Sequence, residues 1–209
     1  MRRVPDSSAI VEQLVVAFRS GDLDAGNELL KRYRPWLRLL ARLQVDPQLD
    51  RRFDASDIVQ QTMLEAVRDF PQFQGTTEAE LTVWLRTILG HALGHERDRH
   101  RGAARRNIDR EISIDQQLAD SSQQLRTVLA ADDSSPSDKA ERHEQELLLA
   151  EVLERLPTDY REVIILRNLH GLPHDEVARR MNRNVGATRM LWVRALATLR
   201  RLLTGDKAT

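Results

Sequence analysis

Two histidines of the chain have the spacing of metal ligands. His91 and His95 lie four residues apart in a segment of helical pattern, with Glu96 beside them, so both imidazoles would project from one helix face as in a zinc site. However, the order is not His-Glu-x-x-His, no third ligand is apparent, and the neighbouring residues are basic. A polar helix face that happens to carry histidines is the simpler interpretation. The sequence therefore predicts no metal ion, no cofactor and no catalytic residue.

The charged residues are unevenly distributed, although their total is balanced. Lys plus Arg and Asp plus Glu both number 32, so the net charge indicates no partner. Arginines gather within 97–110 and again within 179–201, while aspartates crowd 115–138, which gives two basic patches separated by an acidic spacer. Cysteine is absent, which excludes disulfides, thiol catalysis and thiolate-bound zinc.

A hairpin of two helices is predicted between His174 and Leu203. Asn182 stands where the chain must bend, and Asn is the residue after Gly that best tolerates positive φ. Asn184 can then cap the second helix. The predicted buried face of that helix carries Thr188, Leu191, Trp192, Ala195, Leu199, Leu202 and Leu203. The opposite face carries Arg189, Met190, Arg194, Arg200 and Arg201. The pattern indicates a helix-turn-helix, although an ordinary amphipathic hairpin with a solvated arginine face fits the same stretch.

The rest of the chain predicts an all-α fold of two helical domains, 1–106 and 143–209, joined by a flexible acidic linker at 107–142. A short helix through Leu118, Leu125, Val128 and Leu129 is expected inside the linker. In the N-terminal domain, Pro35 is expected to bend its helix or end it early. No apolar run reaches membrane-spanning length and no signal-peptide core is present, which predicts a cytoplasmic location with no membrane contact.

Two further helices of the N-terminal domain have clear faces. Asp54 can cap the first of them. Its predicted buried face carries Val59, Met63, Ala66, Val67 and Phe70, and its predicted outward face carries Asp57, Gln60, Gln61, Thr62 and Glu65. The second helix has the most regular apolar spacing in the chain, through Leu81, Trp84, Leu85, Ile88, Leu89, Ala92 and Leu93. A loop at 72–77 connects the two and carries one aromatic residue, Phe73, among polar ones.

Three motifs in order resemble the sigma factors of bacterial RNA polymerase, of the small two-domain ECF (extracytoplasmic function) type. The first is DASDIVQQTMLEA at 54–66, followed by FPQF and TVWLRTIL. The second is LERLPTDYREVIILRNLHGL at 153–172, and the third is the hairpin HDEVARRMNRNVGATRMLWVRAL. Each motif alone is weak, but together they keep the family's spacing over about 21–203. The resemblance implies a protein that binds core RNA polymerase and directs transcription initiation.

The resemblance also implies a task for each surface. The polymerase-binding face would be Asp57, Gln60, Gln61 and Glu65. Binding of the downstream promoter element and of the melted non-template strand would use Phe73, Arg86, Arg97, Arg99 and Arg101. Reading of the upstream element in double-stranded promoter DNA would use Asn184, Gly186, Ala187, Arg189, Met190 and Arg194. Melting requires stacking and phosphate contacts, which suits an exposed Phe73, although Phe73 and Trp84 can equally be core residues, and for Trp84 the core is the stronger interpretation.

Two departures from the family pattern bear on these tasks. Met190-Leu191-Trp192 stands where a small residue and another arginine are commoner, and Gly90-His91 stands where Arg-Asn is commoner. A stand-alone helix-turn-helix regulator is the alternative function. It would bind duplex DNA tightly without polymerase and would leave 54–97 without a role. The resemblance leaves open an anti-sigma protein as a further partner.

Overall fold

The computed structural model describes residues 7–44, 54–101 and 139–204, and every regular element within these ranges is helical. The chain divides into two compact units, Met1–Asp120 and Ser121–Thr209. The predicted all-α fold class is confirmed. Most of the predicted linker, including the expected helix from Leu118 to Leu129, lies outside the described residues, and the limits proposed for the two domains stay a prediction. None of the described helices is both long and apolar enough to cross a bilayer.

The N-terminal unit contains four α-helices and a short 3-10 turn in its described part. They are α1 (Ser7–Arg19), α2 (Leu23–Gln44), α3 (Ala55–Asp69), the 3-10 turn (Phe70–Gln72) and α4 (Glu78–Arg101). The predicted apolar face of α4 is confirmed, since all its members are buried except Trp84, which is half-buried. Apart from Phe70 of the 3-10 turn, the largest fully buried side chains come from α2 and α4, so these two long helices supply most of the centre of the core.

Pro35 does not end α2 early. The helix continues to Gln44, and the residues around the proline, Tyr33, Trp36 and Leu37, are fully buried. A proline inside a helix costs about 3 kcal/mol, whereas burying one large apolar side chain contributes about 1.5–3 kcal/mol. Several buried neighbours therefore outweigh the lost hydrogen bond and keep the segment helical.

The start of α3 agrees with the prediction, but its buried face is rotated. Asp54 caps the helix, with Oδ1 accepting from the backbone N–H of Ser56 at 2.8 Å. Thr62 was expected to face outward and is fully buried, whereas Val67 was expected to be buried and is 45% exposed. The hydroxyl of Thr62 donates to the carbonyl of Ile58 at 2.8 Å, which satisfies the polar group within the helix and permits its burial.

The C-terminal unit is built from four α-helices in its described part. They are α5 (Lys139–Arg155), α6 (Thr158–Ile164), which continues as a π-helical turn (Ile165–Leu169), α7 (His174–Arg180) and α8 (Val185–Leu203). Helix α5 thus begins inside the predicted linker. Gly171 adopts φ +68°, a left-handed conformation that glycine accepts without strain, and Pro173 precedes α7. Helical structure is therefore interrupted between the π-helical turn and the predicted hairpin.

The helix-turn-helix hairpin has the predicted turn. Asn182 has φ +52°, and Asn184 is extended, with Oδ1 accepting from the N–H of Ala187 at 2.7 Å. Thr188, Ala195 and Leu199 of α8 are buried. The other four residues of the predicted buried face are half-buried. Helices α7 and α8 are therefore packed against each other and joined by a tight turn, as the spacing of the apolar residues predicts.

Candidate nucleic-acid and partner interfaces

The residues predicted to read the upstream element are all exposed at the beginning or on the outer side of α8. They are Asn184, Gly186, Ala187, Arg189, Met190 and Arg194. The side-chain oxygen of Asn184 is engaged in the helix cap, which leaves its amide NH₂ group to face a ligand. A Cβ placed on Gly186 would meet only that oxygen, at 3.5 Å, an ordinary contact. The fold therefore does not require glycine at 186, and the small residue leaves room for close approach from outside.

The arginines of the hairpin divide into paired and unpaired groups. On α7, both Arg179 and Arg180 form ion pairs with Glu176, with Arg180 Nε 2.7 Å from Glu176 Oε1. In the turn, Arg183 Nη2 lies 2.5 Å from Asp159 Oδ2 at the start of α6. Helix α8 carries four arginines and no acidic residue, and none of the four has an ion pair within the described ranges. The positive charge available to an anionic ligand is therefore concentrated on α8.

Helix α8 is held in place by a contact that the sequence did not predict. Trp192 Nε1 donates to Asn168 Oδ1 at 2.9 Å, and Asn168 belongs to the π-helical turn. His174 packs edge-on against the indole, with ring centroids 5.3 Å apart. Burial lowers the pKa of His174, with Arg167 and Arg189 acting in the same direction and Asp175 against it. The shift favours the neutral form of the imidazole that packs against the tryptophan.

Phe73 is a core residue, not an exposed one. It is 7% exposed, stacks on Trp84 with ring centroids 4.8 Å apart, and lies 5.7 Å from the ring of Phe70. A Cβ at Gly75 would fall 2.4 Å from the Phe73 ring, so glycine lets the loop fold over it. The expectation that Phe73 is exposed is therefore wrong, because packing against Phe70 and Trp84 removes its ring from water. The alternative interpretation, that Phe73 is a core residue, is confirmed.

Hydrogen bonds with side chains hold the backbone of the loop at 73–77 at its beginning and at its end. Arg19 Nη2, at the end of α1, donates to the carbonyl oxygens of Phe73 (3.2 Å) and Gly75. Glu80 accepts from the N–H groups of Thr77 (3.0 Å) and Thr76 (2.9 Å), which lower the pKa of its carboxyl group. The Thr-x-x-Glu spacing is a capping-box signal that is legible in the sequence. The contact from Arg19 crosses 54 residues, and no local pattern signals it.

Of the arginines predicted to contact the downstream element, the structure describes the side chain of Arg86. Arg86 is half-buried, and its guanidinium carbon lies 5.7 Å from the centroid of the Trp36 ring. It therefore packs against α2 and is not fully presented to solvent. Arg97, Arg99 and Arg101 belong to the last turns of α4, and their side chains lie outside the described residues. Their role stays a prediction.

The predicted polymerase-binding face lies on the outer side of α3. Asp57, Gln60 and Gln61 are exposed, and Glu65 is half-exposed and accepts from Gln61 Nε2 at 2.7 Å. Leu64, 60% exposed, adds apolar surface next to them. This is a mixed surface suited to a protein partner.

His91 and His95 are exposed on α4. Within the described residues, no group of three potential metal ligands comes together.

The chain forms two helical units, and in the C-terminal unit an arginine-rich helix follows a tight turn and is capped by Asn184. This arrangement is typical of a DNA-binding protein of the helix-turn-helix class. The family models for "Sigma-70 region 2" and "Sigma-70, region 4" match residues 29–105 and 146–199, which together cover more than half of the chain. The chain belongs to the sigma-70 family and is a sigma factor of the ECF type, which directs promoter recognition.

Relatives match along most of the chain. It is 28% identical over 185 residues to the ECF RNA polymerase sigma-E factor of Haemophilus influenzae, covering 88% of this chain and 90% of the relative. It is 27% identical over 191 residues to the ECF RNA polymerase sigma factor SigD of Mycobacterium tuberculosis, covering 91% and 82%. Among solved structures, CnrH in complex with the cytosolic domain of CnrY is 23% identical, with coverage of 95% and 99% and a TM-score of 0.34.

Proposed function

We propose that the two units divide the work of promoter recognition. In this proposal the outer face of α3, with Asp57, Gln60, Gln61 and Glu65, docks on core RNA polymerase. The fastened loop at 73–77 and helix α4 contact the downstream element as it opens, and α8 lies in the major groove of the upstream element. The protein does no chemistry of its own and acts in the cytoplasm. An anti-sigma protein is a further proposed partner.

The observation that carries this proposal is the charge arrangement of α8. Its arginines form no ion pair with any residue that the structure describes, it carries no acidic residue, and it starts with small residues at 186 and 187. These features suit a helix that approaches phosphates and base edges. Arg179 and Arg180 of α7 share one acidic partner, Glu176, which offsets part of their charge, so α8 offers the stronger site for a polyanion.

For the downstream element, the loop is proposed to act through its polar surface and its shape. Gln74, Thr76 and Thr77 are exposed, whereas Phe73 is buried beneath them. Polar side chains on a rigid loop can hydrogen-bond a base that has left the stack, and the buried ring then serves to hold the loop. Phe73 would have to leave its cluster to stack on a base directly.

The test is co-elution of the full chain with bacterial core RNA polymerase on a sizing column, followed by run-off transcription from a promoter library. The expected result is a stable complex that initiates at a defined subset of sequences, whereas core polymerase alone does not. A chain that elutes alone but binds duplex DNA tightly and specifically would contradict the proposal and favour the stand-alone regulator.

A further inference from the structure

The outward surface of α8 has an apolar centre, not a charged one. Met190 is 55% exposed and Val193 is 52% exposed, and Gly186 and Ala197 are exposed too. With 3.6 residues per turn, these four positions lie about 140° to 200° round the helix from buried Thr188. They form a single narrow stripe, the Met190–Val193 stripe, that points directly away from the core.

Arginines flank the Met190–Val193 stripe on both sides. By the same geometry, Arg189 and Arg200 lie about 100° to 120° from Thr188, and Arg194 and Arg201 lie about 220° to 240° from it. All four are exposed. A solvated helix face ordinarily carries its charges at its centre, where water is most accessible. Here the cations stand at the two margins and the apolar side chains stand between them.

This arrangement matches the cross-section of a major groove. The groove is about 12 Å wide, its walls are lines of phosphates, and its floor presents the base edges. A helix inserted there would place Arg189 and Arg194 towards opposite walls and Met190 and Val193 towards the floor. Only one group on that floor is apolar, the C5-methyl group of thymine.

We propose that Met190 and Val193 are specificity-determining residues that recognise thymine methyl groups in the upstream promoter element. The inference rests on the proposed function, because it assumes that α8 enters the major groove. In this proposal Met190, which departs from the family pattern, gives the protein a sequence preference of its own and does not simply remove a contact. The expected upstream element therefore contains at least one thymine that is read through its methyl group.

The experiment uses polymerase holoenzyme reconstituted with the full chain. Upstream elements are first selected from a duplex library randomised in that region, and each thymine of the selected element is then replaced by deoxyuridine, which lacks only the methyl group. At one or more positions, we expect the wild-type holoenzyme to bind the deoxyuridine duplex about fourfold more weakly, the effect of one buried methyl group. Met190→Ala or Val193→Ala should abolish that penalty at its own position, and Met190→Leu should keep it.

The controls separate the possible failures. Leu148→Ala removes a side chain of similar exposure (43%) from α5 and should leave every penalty unchanged. Deoxyuridine penalties that are absent in the wild type, or that persist equally in both alanine variants, would overturn the inference while the proposed function stands. If the alanine variants bind the thymine duplex and the deoxyuridine duplex more weakly by the same factor, the inference is also overturned, and the stripe is assigned to a protein partner. Failure to form a holoenzyme, or to enrich any element, would instead overturn the proposed function.

Discussion

Trp192 on α8 donates a hydrogen bond of 2.9 Å to Asn168 in the π-helical turn, and it connects positions 24 residues apart in the chain. Replacing the indole by a phenyl ring in Trp192→Phe removes the donor and leaves Asn168 without its partner. We expect a loss of about 1 kcal/mol in the free energy of unfolding, the usual net value of one hydrogen bond.

Urea denaturation of the single and double variants of Trp192 and Asn168 measures this contact. In a double-mutant cycle with Asn168→Ala, the coupling energy should account for most of the loss, because the cycle cancels the packing changes of each single variant. Additive effects within about 0.3 kcal/mol would mean that the hydrogen bond does not stabilise the unit.

The state of His174 makes the C-terminal unit sensitive to pH. Burial, Arg167 and Arg189 lower the pKa of His174 in the folded protein, so the unfolded state binds the proton more readily. The contribution of His174 to the free energy of unfolding is therefore fully present above the pKa of this residue in the unfolded state, about 6.5. It declines as the pH falls below that value. His174→Gln should remove this part of the pH dependence. The measurement is the difference between the wild-type and variant unfolding free energies from pH 5 to pH 7.5, and a flat difference would contradict the prediction.

Arg19 is expected to hold the loop at 73–77 in its observed shape. In Arg19→Ala, the carbonyl oxygens of Phe73 and Gly75 lose their donor. We expect amide exchange in Gly75–Thr77 to quicken by about fivefold, which corresponds to roughly 1 kcal/mol per lost hydrogen bond. Promoter opening should weaken, and binding to core polymerase should remain.

Arg34→Ala is the matched control for Arg19→Ala, since Arg34 is exposed on α2. Exchange rates that change equally in the two variants would show that the effect is one of charge and not of the loop contacts.

The two proposed binding surfaces should be separable by substitution. Arg189→Ala should weaken promoter binding by about 1.5–3 kcal/mol, the usual value of a hydrogen bond to a charged group, because it removes a cation placed towards a phosphate wall of the groove. Core binding should be unaffected. Asp57→Ala combined with Gln60→Ala should do the reverse. Co-elution with core polymerase and filter binding of holoenzyme to promoter DNA measure the two activities. Equal losses of both activities in either variant would argue against the division of labour.

Local signals in the sequence were sufficient for most of the secondary structure and for the hairpin. The positive φ of Asn182 and the cap of Asn184 follow from residue types at a turn, and the buried stripe of α4 follows from its period. Contacts between distant segments had no such signal. Whether Phe73 and Val67 are buried or exposed depends on which neighbouring helices cover them, and the periodicity of the sequence does not specify those neighbours.

The ion pairs of Glu176 have a consequence for the thermodynamics of DNA binding. A cation that already has an acidic partner displaces few of the counterions condensed on DNA. We therefore expect Arg179 and Arg180 to contribute less to counterion release than the four arginines of α8. With a slope of about −0.9 per phosphate contact, four contacts from α8 would lower the logarithm of affinity by about 3.6 per tenfold rise in salt. Glu176→Gln would remove the one negative charge that Arg179 and Arg180 share and should steepen that dependence, exchanging selectivity for general attraction to the duplex.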